Sequence, residues 1–367
     1  MAEGLNKRYY KGSPKPRPRT PAALGYRMPA EWESQEAIWI AWPYYPDTWQ
    51  EYLADTEHSY DHWVRAMHDG QAVHILAKDA AQEAYIKKRL QAVNVDLAKI
   101  NFFRIEYVDT WMRDYGPTFV VNPTAEAPLA MVKWTFDAWG GKYDDLAEDN
   151  RVPRLMNKYL RLPMFEPGIQ LEGGSIEVNG AGCVLTTEQC LLNENRNPHL
   201  KRAEIEQYLR DYLNVSKVLW LKEGIDGDDT DGHIDDIARF VNPTTVICAV
   251  EEDSDDDNFA PLQENYKDLQ KMTDQEGNPF HVIKIPMPGP IRTKQSVRLP
   301  ASYTNFYIGN QVVTVPTFEH PNDAKVLRIL QGLFPTRTVV GIPCRSVVYG
   351  LGTLHCCSQQ QPRPLSQ

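Results

Sequence analysis

From residue 28 onward the chain switches repeatedly between two apolar periods, and each switch marks an element. Short runs rich in Val, Ile and aromatic residues predict strands over 37–42 (AIWIAW), 72–77 (AVHILA) and 100–107. Apolar positions at three- and four-residue spacing predict helices over 48–67 and 80–93. Further strands are predicted over 118–121 and 130–136, then in two pairs, 168–178 with 182–186 and 233–241 with 245–250. Helices over 201–213, 261–273 and 323–334, and strands over 218–221, 281–285, 305–308, 312–315 and 338–342, complete the pattern. The order strand, strand, helix, strand recurs several times, although residue identity between those blocks is too low to establish a repeat. No linker interrupts the alternation. The pattern therefore predicts one α/β domain over 28–362, with a basic, Pro-rich flexible arm over 1–27 and a short tail over 363–367.

Length and composition narrow the function classes. At 367 residues, 42% hydrophobic and 24% charged, the chain has the profile of a soluble globular protein with ample core. A net charge of −10 argues against a nucleic-acid partner and mildly favours a cationic ligand. Part of that charge lies in 251–257 (EEDSDDD), which reads as a solvated loop. No run approaches the ~18 apolar residues of a membrane span, so no membrane partner is expected. The first 27 residues lack the apolar core of a secretory signal. The cysteines (Cys183, Cys190, Cys248, Cys344, Cys356 and Cys357) contain no CxxC pair and no small-scaffold density, so a reducing, cytoplasmic location is expected.

Four clusters carry candidate chemistry. In Asp231-Gly232-His233-Ile234-Asp235-Asp236, an extended strand would project Asp231, His233 and Asp235 from one side. That set suits proton transfer, cation binding or metal ligation; a solvated acidic turn is the alternative. Zinc fits poorly, because no second histidine stands at ligand spacing near His233, and the acidic residues lack a calcium-loop pattern. In Gly350-Leu351-Gly352-Thr353-Leu354-His355-Cys356-Cys357, a thiol follows two glycines, and either His233 or His355 is a possible base for it. On a strand the two cysteines would face opposite ways, so only one should line a site. Trp111 and Asp114, three apart, could offer an aromatic wall and an anion to one planar cation; a turn whose Asp caps local backbone is the alternative. Glu172 leads into Gly173 and Gly174, consistent with close backbone approach to a ligand or with a bend.

Taken in order, the segments MPAEWESQEAIWIAWP, DTWMRDYGPTFVVN, FDAWGGKY, LEGGSIEVNG, LLNENRNPH, DGHIDD, ASYTNFYI and HCCSQQQP resemble the agmatine deiminase family. That family sits with peptidylarginine-deiminase-like proteins among the guanidine-modifying enzymes, and the resemblance runs from Met28 to Pro362. It implies a five-fold pseudosymmetric α/β propeller of the pentein type around a central acidic site, no cofactor, and a small cationic guanidino substrate (agmatine). Homodimers are frequent in the family. By position, Cys356 matches the nucleophile, His233 the general acid/base and Glu172 the carboxylate that orients it. Asp114 and Asp235 match the pair that grips the guanidinium, and Trp111 matches the wall beside it. The implied reaction is hydrolysis of agmatine to N-carbamoylputrescine and ammonia. Peptidyl-arginine as substrate and a non-catalytic guanidinium- or polyamine-binding protein are the alternatives. The family's GGGNIHC stands here as GLGTLHC, with Leu351 and Thr353 for glycine and asparagine, and Cys357 stands where an apolar residue is common; these departures leave the reacting groups in place and the substrate's tail open.

Overall fold

The computed structural model describes residues 19–364, and their strands sort into six sheets. Strands β1 (Gln35–Ala41), β2 (Ala72–Ala77) and β3 (Ile100–Arg104) run parallel, with the helices Leu53–Met67 and Ala80–Ala92 as crossovers. Strands β4 (Thr118–Val121) and β5 (Leu129–Val132) are antiparallel; after the helix Val152–Leu160, β6 (Met164–Phe165) joins β5 in parallel. The same plan recurs in β7 (Glu177–Val178), β8 (Cys183–Thr187) and β9 (Lys217–Leu221), and again in β10 (Ala238–Asn242), β11 (Thr245–Val250) and β12 (His281–Pro286). A two-stranded ribbon, β13 (Ile291–Arg292) with β14 (Arg298–Leu299), precedes a further copy in β15 (Tyr307–Ile308), β16 (Val312–Thr317) and β17 (Thr338–Pro343). Finally β18 (Ser358–Pro362) returns to lie antiparallel to β1, pairing Ser358 with Ile40 and Gln361 with Ala37. Five sheets therefore share one pattern: an antiparallel pair, a helix, and a parallel third strand. The first of them is closed by the two ends of the chain.

Local chemistry explains the elements. The central strand of each three-stranded unit is covered on both faces, as in β11, where all six residues are buried, whereas the outer parallel strands β12 and β17 are partly exposed. The crossover Arg202–Leu213 buries Ile205, Leu209 and Leu213 at four-residue spacing and stops at Asn214, whose φ of 59° suits the left-handed cap. Asp79 starts the helix Ala80–Ala92 by accepting from the Gln82 N–H at 2.8 Å. Trp39, Trp42, Trp49 and Trp63 are fully buried. None of the described helices is long and apolar enough to cross a membrane, and all six cysteines are free thiols.

Several expectations are corrected. The helix expected over 48–67 breaks at Gln50, where φ is 44°, into a short turn Pro46–Trp49 and the helix Leu53–Met67. Of the strand expected over 168–178, only Glu177–Val178 pairs as a strand; Gln170 makes an isolated bridge to Thr135, and Gly173–Ser175 forms a 3-10 turn. The strand expected from 233 begins at Ala238. Upstream, the Asp228 carboxylate accepts from the N–H groups of Thr230, Gly232 and His233 at 2.7–3.2 Å and winds the chain into turns. Cys356 and Cys357 sit in a turn ahead of β18, so strand alternation does not separate them. Residues 1–18 of the expected arm lie outside the described residues, whereas the stretch just before 28 is packed. Tyr26 donates its hydroxyl to the Ala127 carbonyl at 2.6 Å, and Arg27 exchanges backbone hydrogen bonds with Val121. In the expected tail, the Arg363 N–H donates to the Ser34 carbonyl at 2.8 Å.

Candidate active site

In each of the five like sheets a polar residue stands just ahead of the first strand of the antiparallel pair: Asp114 before β4, Glu172 before β7, Asp235 before β10, Asn305 before β15 and Cys356 before β18. The five segments meet. A methyl group built on Gly174 would lie 2.5 Å from His233 Nδ1, 2.9 Å from Asp114 Oδ1 and 3.2 Å from Asp235 Oδ2, so those three atoms surround one point. Gly173 would likewise strike the Arg113 carbonyl at 2.2 Å. The paired glycines therefore serve close approach to other segments of the site.

Cys356 Sγ receives the Asn305 Nδ2–H at 3.0 Å and lies 3.6 Å from Asp235 Oδ2. The Asn305 carbonyl accepts from the Thr353 hydroxyl at 2.8 Å and from the His355 and Cys356 N–H groups at 3.0 and 3.3 Å. One amide thus fixes both the thiol and its turn. Burial pushes the Cys356 thiol well above its ordinary pKa, and Asp235, Asp236 and Asp114 add to it. Without a cation in the cavity the site thus favours the thiol over the thiolate.

His233 is fully buried, with Nδ1 3.6 Å from Asp114 Oδ1 and Nε2 3.6 Å from Glu172 Oε2. These are ion-pair separations, too long for hydrogen bonds. Burial opposes the imidazolium, but Asp114, Cys190 and Glu172 together hold the ring well above its usual pKa. Glu172 is pinned by Arg196 Nε at 2.8 Å; burial would raise its carboxyl, and Arg196 and His233 lower it. Asp114 accepts from Trp139 Nε1 at 3.0 Å and from the Gly174 N–H at 3.1 Å. Burial raises it to about 7, with Asp235 and Glu172 adding to the rise and His233 opposing it.

Asp235 is held from behind. His355 Nδ1 stands 2.7 Å from Asp235 Oδ2, and its Nε2 stands 2.8 Å from Glu31 Oε1. An imidazole bonded to two carboxylates needs a proton on both nitrogens. That requirement outweighs burial and the Arg113 and Arg239 guanidiniums, which push His355 toward neutrality. Burial works against ionised Asp235 as well, but His355, His233 and Arg239 keep its pKa low. Both nitrogens of His233 and Oδ1 of Asp235 are buried without a hydrogen-bond partner among the described residues.

A cavity of about 250 Å³ reaches this cluster, with Trp111, Asp114, Trp139, Leu351 and Cys356 in its wall. Trp111 stacks on Trp49 with centroids 5.8 Å apart and donates its indole N–H to Asp109 at 3.0 Å. Asp47 and Asp145, both exposed, and the partly buried Asp229 line the same cavity. The ligand-capable atoms of Asp235, Asp236 and Cys356 lie within 4.8 Å of one another, as do those of Glu172, Cys190 and His233. In each set a carboxylate already has a cationic partner, His355 or Arg196, so the site better suits a cation that brings its own N–H donors.

Residues 27–362 match the family described as Porphyromonas-type peptidyl-arginine deiminase. The chain belongs to that family. It is 38% identical to the agmatine deiminase of Pseudomonas aeruginosa (strain LESB58), covering 94% of this chain and 98% of that protein. The solved agmatine deiminase of Enterococcus faecalis superposes with a TM-score of 0.87 at 35% identity, covering 94% of this chain and 98% of the other. A Cys-to-Ser agmatine deiminase of C. jejuni with substrate bound gives 0.83 at 31% identity over 93% and 97%.

Within this deiminase-family chain the residues singled out by sequence, Trp111, Asp114, Glu172, His233, Asp235 and Cys356, converge on one site. Asp231 is not a member: with φ at 65° it turns away to Arg196, Asn195 and Lys142, at 2.8–2.9 Å. His355 is committed to two carboxylates and is unavailable as a base. Cys357 lies beside Thr110, 3.8 Å from its hydroxyl, and is absent from the cavity wall. Residue types and spacing did not single out Asn305, Arg196, Trp139 or Glu31. Each sits in a segment that carries the family resemblance (ASYTNFYI, LLNENRNPH, FDAWGGKY, MPAEWE), which was the available signal.

Proposed function

We propose that this chain hydrolyses the guanidinium of agmatine to N-carbamoylputrescine and ammonia through a covalent thiouronium on Cys356. The reading is carried by one observation: a thiol stands 3.6 Å from a buried carboxylate that keeps one oxygen unpaired, in a cavity whose wall also holds Asp114. A guanidinium is planar and permanently charged, with donors for carboxylates on either side, and the clamp presents its carbon to the sulfur. Its charge favours loss of the thiol proton to solvent from a site that otherwise holds it, and that proton leaves the cycle with ammonia as ammonium. Cys356 Sγ then bonds to the guanidinium carbon. The C–N bond breaks as His233 supplies a proton to departing ammonia. Water attacks the remaining thiouronium, His233 takes its proton, and C–S cleavage returns the thiol and releases the urea. Asp114 and Asp235 hold positive charge throughout. The steps as written use water and these residues.

Asp47, Asp145 and Asp229 favour a substrate whose far end is a second cation and oppose the carboxylate of free arginine. Peptidyl-arginine is the second reading, favoured by the family description. We also read the five like sheets, each delivering one residue to the site, as blades of a five-fold pseudosymmetric propeller spanning 28–362. The six free cysteines fit a reducing, cytoplasmic setting that keeps the nucleophile a thiol. The deciding experiment measures ammonia release from agmatine, free arginine and an arginyl peptide at matched concentrations. Turnover of agmatine with a thiouronium adduct in intact-protein mass spectrometry is expected; preference for the peptide, with citrulline formed, would overturn the substrate assignment.

A further inference from the structure

We propose that Leu351 is a specificity-determining residue whose side chain closes the cavity around an unbranched apolar spacer, so that the enzyme measures the length of the chain behind the guanidinium. The inference rests on the deiminase reading and extends it from the reacting group to the tail.

Leu351 has a φ of 73°, in the left-handed region that costs a branched side chain and suits glycine. The reason for the turn lies on either side. A Cβ on Gly350 would come 2.7 Å from Trp49 and 3.0 Å from Trp111, and one on Gly352 would come 2.6 Å from Trp111. Both flanking positions are thus pressed against the tryptophan pair, and the peptide between them must arch. Glycine would make that arch most easily, yet the chain carries leucine there. A strained position kept by a bulky residue points to a use for its side chain.

The side chain has one evident use. Leu351 lines the same cavity wall as Trp111 and Cys356, and it is half-buried. Strain also recurs along this wall: Gln50 and Trp139, both lining the cavity, have φ of 44° and 59°. With the guanidinium carbon at Cys356 and a distal cation toward Asp47, Asp145 and Asp229, an apolar spacer would run between Leu351 and the Trp111 ring. A spacer one methylene off would misplace one end, and a polar branch on it would be desolvated against leucine without a partner.

The test compares wild type, Leu351→Gly and Leu351→Ala for ammonia release from agmatine, from its homologues one methylene shorter and longer, and from free arginine. Wild type should lose about tenfold or more in kcat/KM for each changed spacer. Both variants should flatten that dependence to about threefold or less and raise KM for agmatine about tenfold, with kcat kept within about threefold. Leu351→Gly relieves the backbone, so its Tm should hold or rise; Leu351→Ala retains the strained φ and isolates the loss of the isobutyl group. Retention of the wild-type spacer profile in both variants would overturn the proposal, as would a loss confined to kcat. If wild type releases no ammonia from agmatine, the deiminase reading itself fails. The same series titrated calorimetrically would then still decide whether Leu351 governs spacer length.

Discussion

Replacing Gly174 by alanine adds a single carbon, and the structure fixes what it meets. The new Cβ would lie 2.5 Å from His233 Nδ1 and 2.9 Å from Asp114 Oδ1, against an optimum for heavy-atom contact of about 3.5 Å. Roughly 1 Å of overlap must be relieved by moving the imidazole. His233 has nowhere to go, because Glu172 stands 3.6 Å beyond Nε2, and Arg196 holds Glu172 at 2.8 Å with both side chains fully buried. Gly174 is not among the positive-φ positions, so alanine brings no backbone penalty and the effect is steric. Overpacking of this kind costs about 1–3 kcal/mol of stability. A displacement of about 1 Å in a proton-transfer group lowers kcat on the order of 100-fold. Gly332→Ala is the matched control: nothing lies within 4 Å of its Cβ, and it falls inside the helix Asn322–Leu333. There kcat should stay unchanged and stability should rise by up to about 1 kcal/mol from helix propensity. Steady-state ammonia release and thermal unfolding, run on both variants, decide the matter. A Gly174→Ala enzyme with kcat within about threefold of wild type and an unchanged Tm would falsify the proposed packing around His233.

Other outcomes follow from the same geometry. Cys356→Ser should reduce turnover on the order of a thousandfold or more, while Cys357→Ser, beside Tyr60 and Thr110 with its thiol pushed up to about 12 by burial, should keep kcat within about threefold; the reverse pattern in ammonia assays would reassign the nucleophile. Asn305→Ala removes the donor 3.0 Å from Sγ, so it should lower kcat on the order of 100-fold and move the pH profile of Cys356 alkylation upward; an unmoved profile would leave the amide a purely structural role. Asp114 titrates at about 7 in the folded protein, against an ordinary aspartate value of 3.8 for the unfolded chain, so between those values the unliganded native state holds a proton the unfolded state lacks. Its stabilising contribution is therefore complete below about pH 4 and is lost as pH rises through about 7. Guanidinium binding has the opposite sign, since it favours the ionised carboxylate. KM for agmatine should fall as pH rises to about 7, and a KM flat across that range would contradict the assignment.

Much of the fold could be read from apolar patterning, and the failures have a common cause. The strands expected over 72–77 and 118–121 were found with those bounds, because β-branched and apolar runs between turn residues leave few alternatives. The strand expected over 168–178 is cut short where Gly173 and Gly174 press against the Arg113 carbonyl and the His233 ring, and the strand expected from 233 starts late because the nearby Asp228 carboxylate winds Thr230, Gly232 and His233 into turns; in both, the deciding contacts are ones apolar patterning does not register. The same errors governed the site. His233 and Asp235 belong to it, but through a 3-10 turn; the alternation that grouped them also brought in Asp231, which faces Arg196. Asn305 gave no chemical signal of its own, since a lone asparagine in an apolar stretch is unremarkable. Its role emerges once the sheets are aligned, where it takes the place before β15 that Asp114, Glu172, Asp235 and Cys356 take before β4, β7, β10 and β18.

That equivalence also bears on how so much negative charge can be buried at one point. Of the acidic groups near the sulfur, Glu172 and Asp235 are each neutralised from behind, by Arg196 and by His355, and burial does not prevent their ionisation. Among the described residues, Asp114 and Asp236 have no cation within hydrogen-bond distance, His233 standing 3.6 Å from Asp114 and shared with Glu172, and burial raises both, Asp114 to about 7. The Cys356 thiol is raised with them. The unliganded cavity therefore limits its charge by keeping protons on the groups that face the ligand. A cation entering the cavity reverses that balance at Asp114 and Cys356 together, because burial disfavours both anions and the Asp114 charge adds to the rise at Cys356. A neutral isostere of the substrate would supply shape without this shift and would leave the sulfur protonated. The positive charge of the substrate is thus part of the nucleophile's activation as well as its recognition, and the strongest discrimination should be against uncharged ureas, the class to which the product belongs.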